Sequence, residues 1–219
     1  MIRNIDINEI SDGNRYSSND MVKISCNDCK GCSSCCHDMG DSIILDPYDI
    51  YVLQKALNRS FESLLNKEIS LRVVDYLITP HITMIPGRNC CAFLSDTGRC
   101  TIHDSRPGYC RLFPLGRIYE NDSFSYFHQT QECTYENKSK IKIKKWLGIS
   151  NLASYEQYIL HYHNLTHKMV EAYGLDENEA TAKSVNMLWL NTMFVNPYDI
   201  DASFYDQYYE RTSKLGITI

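Results

Sequence analysis

Cysteine placement constrains this chain more than any other feature. One group reads Cys26-x2-Cys29-x2-Cys32-x2-Cys35-Cys36; a second holds Cys90, Cys91, Cys100 and Cys110, with Cys133 beyond. A C-x2-C step lets two thiolates converge on one metal within a tight turn, which is why zinc and iron–sulfur sites both use it. One such step says little. Three in a row, with five more cysteines in the next 100 or so residues, point to metal. Adjacent Cys35 and Cys36 limit the geometry. Neighbouring side chains point to opposite faces of a strand and diverge by about 100° on a helix. The pair therefore either serves two sites or supplies one ligand and one bystander.

Composition narrows the setting. Ten cysteines in 219 residues is about 4.6%, below the roughly 8–10% of a short disulfide scaffold. The opening MIRNIDINEISDGNRYSSND has neither a basic n-region nor an apolar h-region, so no secretory signal is read there. No apolar run reaches the ~20 residues of a membrane span. The expectation is a cytoplasmic protein with reduced thiols, where dense cysteine favours metal binding or catalysis over disulfides. Hydrophobic residues at 43% and charged residues at 22% describe a globular chain. A net charge of −5 argues against general nucleic-acid binding. No membrane role is expected, and a protein or peptide partner stays open.

Three stretches follow from the pattern. Residues 1–25 are a polar, aperiodic lead-in. Residues 26–137 carry the cysteines. Residues 138–219 are helical and complete the same compact unit. Asp46 and Pro47 suit the N-cap and first turn of a helix that continues through Ile50, Leu53 and Leu57. Ser60 opens a short second helix. Residues 69–79 fit strand or helix. Hairpins are predicted over 90–103, turning at Asp96-Thr97-Gly98, and around Asn121-Asp122-Ser123. In the helical part, Ser154 to Gln157 has the form of a capping box and Gly174 of a C-terminal cap. Asp176 to Glu179 starts a helix to about Phe194, and a last helix runs from about Ser203 to Lys214. The fold class is α+β: a loop-rich, metal-organised cysteine region of short helices and hairpins, packed against C-terminal helices.

The run Cys26-x2-Cys29-x2-Cys32-x3-Cys36 has the spacing of bacterial ferredoxins, without the proline that follows the fourth cysteine there. A radical-SAM C-x3-C-x2-C would need cysteine at Met39. Cys29-x2-Cys32-x2-Cys35-Cys36, Cys91-Ala-Phe-Leu, and Cys100-Thr-Ile-His-Asp-Ser-Arg106-Pro107-x2-Cys110-Arg111-Leu-Phe-Pro114 together resemble the YkgJ-type CxxCxxCC family, described as zinc- or iron-chelating. The resemblance spans about residues 26–133. It implies Cys29, Cys32, Cys35, Cys36, Cys91, Cys100, Cys110 and Cys133 as metal ligands, enough for two four-thiolate sites or one site with spares. Cys26 and Cys90 are additions to the pattern. The chain is more loosely similar to flagellin lysine N-methylase, which implies group-transfer chemistry on a protein side chain. No Gly-rich nucleotide loop accompanies that similarity.

Several residues carry two readings. Arg106 and Arg111 would stabilise the charge of a bound cofactor, or would hold their loop. His37 and His103 lie near the cysteines, although the resemblance puts an aromatic residue at 103. His163 and His167 share a helix face and are read as packed or solvated rather than metal-binding. Lys138, Lys140, Lys142, Lys144 and Lys145, with Ile141 and Ile143 between them, read as an exposed strand or linker with two apolar contacts. Tyr198, Tyr205, Tyr208 and Tyr209 read as helical core and rim. The expectation is a metal-thiolate protein with an iron–sulfur centre, [4Fe–4S], supporting redox or side-chain modification chemistry. The alternatives are a zinc-stabilised binding module and a metal carrier or sensor. The residues do not decide whether the chain is an enzyme. The ligands expected first are Cys29, Cys32 and Cys36 with Cys91, Cys100 and Cys110, then Cys133, and Cys35 ranks last among the family positions; Cys26→Ser is expected to do little.

Overall fold

A computed structural model describes residues 6–26, 29 and 32–217. It is mixed α+β. Short antiparallel hairpins and a cysteine-rich region come first, and helices follow. The chain runs α1 (Ile7–Ile10), β1 (Met21–Ser25), α2 (Pro47–Leu57), α3 (Phe61–Leu64), β2 (Ile69–Val74), β3 (Leu77–Ile82), β4 (Met84–Ile85) and β5 (Cys90–Cys91). It continues through α4 (Gly108–Leu112), β6 (Leu115–Glu120), β7 (Ser123–His128), β8 (Ser139–Lys142), α5 (Ile143–Leu147), α6 (Leu152–Tyr173), α7 (Glu179–Leu190) and α8 (Phe204–Ser213). The strands pair two by two: β1 with β8, β2 with β3, β4 with β5, and β6 with β7.

Local chemistry explains most of these elements. Asp46 caps α2 as the sequence predicts. Its Oδ1 accepts from Asp49 N at 2.9 Å while Asp49 Oδ2 accepts from Asp46 N at 3.1 Å, a reciprocal box with Pro47 in the first turn. Ser60 caps α3 and Ser203 caps α8. Residues 69–82 resolve as a hairpin, because Asp75 and Tyr76 both take positive φ and close a two-residue turn. Asn121 and Asp122 do the same between β6 and β7. Gly174 ends α6 at φ +54°, the left-handed position where glycine costs least.

Three local expectations change. The cap of α6 is Asn151, whose side chain accepts from Ser154 N, so the helix starts three residues ahead of the Ser154 pattern. An amide three residues before a free N–H is as good a cap as the hydroxyl that follows it. The 90–103 segment does turn at 95–98, with Gly98 at φ +73° and one bridge from Leu94 to Cys100. Its strand, Cys90–Cys91, pairs instead with Met84–Ile85. Residues 21–25, read as lead-in, form β1 against the lysine-rich β8, with Val22 opposite Ile141. Lys140 and Lys142 face solvent there, while Ile143 is fully buried.

Two apolar clusters hold the molecule. The larger joins α2, α3 and the β2–β3 hairpin to α6, α7 and α8 through Leu53, Phe61, Tyr158, Leu165, Trp189 and Tyr208, and it takes in Cys90 and Cys91. The smaller, Val22, Ile24, Leu112, Leu115, Tyr126, Ile143 and Leu147, lies under β1–β8 and β6–β7. Tyr198 and Tyr208 are core and Tyr209 is rim. The cysteine loops sit between the clusters. No helix among the described residues is long and apolar enough to cross a membrane.

Candidate metal centre

The first cysteine group folds as consecutive turns. Cys29 N donates to Cys26 O at 3.2 Å, Cys32 N to Cys29 O at 3.0 Å, and Cys36 N to Ser33 O at 2.8 Å. The 26–29 and 29–32 steps therefore each close a turn, and a further turn closes from Ser33 to Cys36. Cys29 takes a positive φ of 53°. The Cys26 and Cys29 sulfurs stand 3.3 Å apart. Cys35 and Cys36 lie in a short 3-10 turn, Ser34–Cys36.

The other cysteines come from separate elements. Cys91 is in β5, Cys100 follows the 95–98 turn, and Cys110 is in α4. Asp49 of α2 places α4. Its Oδ1 accepts from Gly108 N at 2.7 Å, supplying the N-terminal cap that Pro107 lacks. Cys133 lies in the connection between β7 and β8.

The thiols line two adjoining clefts. The wider, a cavity of about 50 Å³, is lined by Cys29, Cys32, Cys35, Cys36, Cys91, Cys100 and Cys110, with apolar walls from Met39, Ile43, Ile82, Leu94, Ile102 and Phe113. The narrower, about 30 Å³, is lined by Cys26, Cys29, Cys32, Cys35, Cys110 and Cys133. Both exceed the ~10–15 Å³ that one water-sized sphere occupies. Arg106 borders both, its Nε held by His103 O at 2.9 Å.

The electrostatics group the thiols further. Burial pushes up the Cys91 thiol to about 11, and it raises Cys100 and Cys110 as well. Cys35 is close enough to all three that its charge raises them too. Cys35 itself is raised by the neighbouring Cys36 thiol and by burial. Burial and the Cys26 contact push Cys29 up to about 12. Cys133 is raised by burial and by the neighbouring Cys26 and Cys32. Arg106 works the other way on Cys29, Cys35 and Cys100. So do backbone N–H groups two residues on: Phe93 to Cys91 at 3.4 Å, Ile102 to Cys100, and Tyr135 to Cys133. Such N–H···S bonds favour thiolate over thiol.

Among the described residues, no three His, Cys, Asp or Glu side chains are gathered tightly enough to hold a metal ion as they stand. The donor set nevertheless fits a soft metal. Thiols dominate it, lie mostly out of solvent, and are supplied with amide donors and one guanidinium. Protonated thiols share hydrogen bonds, and a metal would replace those protons.

The structure separates the remaining candidates. Arg106 reaches both clefts. Arg111 lines neither and donates to the carbonyls of Arg106, Leu147 and Asp104, tying the loop to α5. His103 borders the wider cleft, whereas His37 bridges the backbone of Cys90. His163 stacks on Tyr119 at 3.8 Å and sits beside His167 at 4.5 Å; burial holds it down to about 4. Cys90 borders neither cleft. Cys26, an addition to the family pattern, touches Cys29. Its involvement was available in sequence only through the ferredoxin-like spacing. Asp49 carried no chemical signal beyond its place in a helix cap.

Residues 28–134, just under half of the chain, match the model of the CxxCxxCC family, described as a putative zinc- or iron-chelating domain. Searches of curated proteins and of solved structures found no match.

Proposed function

Residues 28–134 match the CxxCxxCC family model, and from that premise we propose that the wider cleft holds an iron–sulfur cluster of the [4Fe–4S] type. Cys35, Cys91, Cys100 and Cys110 would be its ligands. The carrying observation is that seven cysteines line one apolar cavity. Four thiolates suffice for either a zinc ion or a [4Fe–4S] cluster; the volume of the cleft, several times that of one water-sized sphere, favours the larger group. A cluster bound by cysteine thiolates in an apolar, amide-supplied setting is the arrangement that uses this cleft.

When bound, such a cluster supplies one-electron redox chemistry or a site for group transfer. The residues of this chain do the rest. Phe93 and Ile102 N–H groups stabilise the Cys91 and Cys100 thiolates, and Arg106 offsets the negative charge. Ile43, Ile82, Leu94 and Phe113 keep water from the sulfurs. Asp49 fixes the turn that presents Cys110.

The test is metal and acid-labile sulfide content, with an optical spectrum, on protein purified without oxygen. Brown protein with iron and matching sulfide is expected. Colourless protein holding zinc alone would overturn the cluster and make the domain a zinc-stabilised module.

A further inference from the structure

The narrower cleft adds two thiols, Cys26 and Cys133, that do not border the wider one. Cys26 lies outside the segment that matches the family, and the family's description assigns it no role. Yet its side chain is only 4% exposed and its sulfur is 3.3 Å from that of Cys29. Cys32 follows one closed turn later. Cys133 arrives from the connection between β7 and β8, more than a hundred residues away in sequence. β1 and β8 pair with Ser25 opposite Ser139, so Cys26 leaves the sheet at the end where the Cys133 connection enters it. All four thiols border the same cleft.

We propose that Cys26, Cys29, Cys32 and Cys133 form a second, mononuclear site that holds one soft divalent ion, zinc or iron(II), between four thiolates. The inference rests on the metal-binding reading of this domain and assigns a different ion to a different cleft.

Distance favours one ion over a cluster. A tetrahedral centre with metal–sulfur bonds of about 2.3 Å has sulfur–sulfur edges of about 3.8 Å. The Cys26–Cys29 pair has to open by only about half an ångström to reach that edge. Thiolates on a cubane ligate different irons and stand much farther apart. The two C-x2-C turns have the local form that mononuclear thiolate sites use. The balance is simple: four thiols release four protons, one M²⁺ enters, and the site carries two negative charges. Arg106 on the cleft wall and Lys138, whose Nζ donates to Cys133 O at 2.5 Å, supply positive charge beside it.

The experiment uses the full chain purified without oxygen, with metal, sulfide and the visible spectrum measured on each variant. Wild type is expected to carry one ion per chain beyond the iron matched by sulfide. Cys26→Ser and Cys133→Ser are each expected to lose that ion and to keep sulfide and the cluster absorbance. Cys110→Ser is expected to lose sulfide and keep the ion. As a probe, Co(II) added to metal-free wild type should give tetrahedral thiolate bands that Cys133→Ser lacks. Cys133 is half-buried in a connection, so its serine variant tests the site if Cys26→Ser does not fold. Wild type without the extra ion overturns the proposal, as does retention of the ion in both serine variants. Simultaneous loss of ion and sulfide in Cys133→Ser overturns it too, since that marks a single shared centre. Protein without sulfide whose ion is still lost in the serine variants removes the cluster from the wider cleft and leaves this site in place.

Discussion

Asp49 shows how one side chain connects helix formation to the thiol site. Its carboxylate accepts from Asp46 N in α2 and from Gly108 N in α4, and the residue is 3% exposed. Asp49→Ala leaves two amides without an acceptor, so a loss of about 2–3 kcal/mol is expected in chemical denaturation. Asp49→Asn retains one acceptor and is expected to cost less. Burial raises both Asp46 and Asp49, and the charge of Asp46 raises Asp49 further, well above the ordinary 3.8. A carboxyl raised on folding binds its proton more tightly when folded. Its contribution is complete below the ordinary carboxylate range and is lost as pH rises through the folded value. Denaturation across about pH 4 to 8 should show wild type losing stability relative to Asp49→Asn as pH rises. The thiols are common to both proteins, so the difference isolates the carboxyl pair. A constant difference would contradict the assignment.

At the scale of elements, side chains take over where sheets end. The outer edge of β3 meets the backbone of Ile43 to Leu45 at Pro80 to Ile82, and α7 covers it nearer the turn. Asn186 Oδ1 accepts from Ile78 N at 2.6 Å, its Nδ2 donates to Tyr76 O at 2.9 Å, and Trp189 Nε1 donates to Ile78 O at 3.1 Å. The part of the edge at Ile78 is thereby closed by one amide and one indole. Asn186→Ala removes the acceptor of Ile78 N in a largely dry setting, and a cost of about 2 kcal/mol is expected from thermal or chemical denaturation. Asn186→Asp keeps the acceptor and loses the donor, so Tyr76 O is the group it leaves unmet. Capping signals made α2, α3 and α8 legible, because each depends on residues three or four apart. The start of α6 was misplaced because Asn151 and Ser154 are both competent caps, and packing of the segment decides between them. The pairing of β1 with β8 left no local trace, since its partners are more than a hundred residues apart.

For the whole molecule, the two apolar clusters and the thiol clefts divide the work. α6, α7 and α8 bury Tyr158, Leu165, Trp189 and Tyr208 completely, and so hold together by ordinary packing. The loops carrying Cys32 to Cys36 and Cys100 have short turns and half-buried side chains in place of a core. A metal would supply the missing cohesion there. Removing metal with a chelator, without oxygen, is expected to speed hydrogen exchange across 32–36 and 91–110 and to leave α6 to α8 nearly as protected as before. A uniform rise over the whole chain would show instead that the metal holds the entire fold.

The cysteines by themselves pointed to a soft-metal donor set, because donor type and C-x2-C spacing are local properties that survive any fold. They also determined the α+β division, since the change from cysteine-rich turns to helical periodicity is written along the chain. Which thiols share a cleft was decided only in three dimensions. Cys26 meets Cys133 because β1 pairs with β8, and Cys110 faces Cys91 and Cys35 because Asp49 of α2 caps α4. Neither arrangement is set by spacing along the sequence; each is fixed by hydrogen bonds and apolar contacts between segments that lie far apart in it.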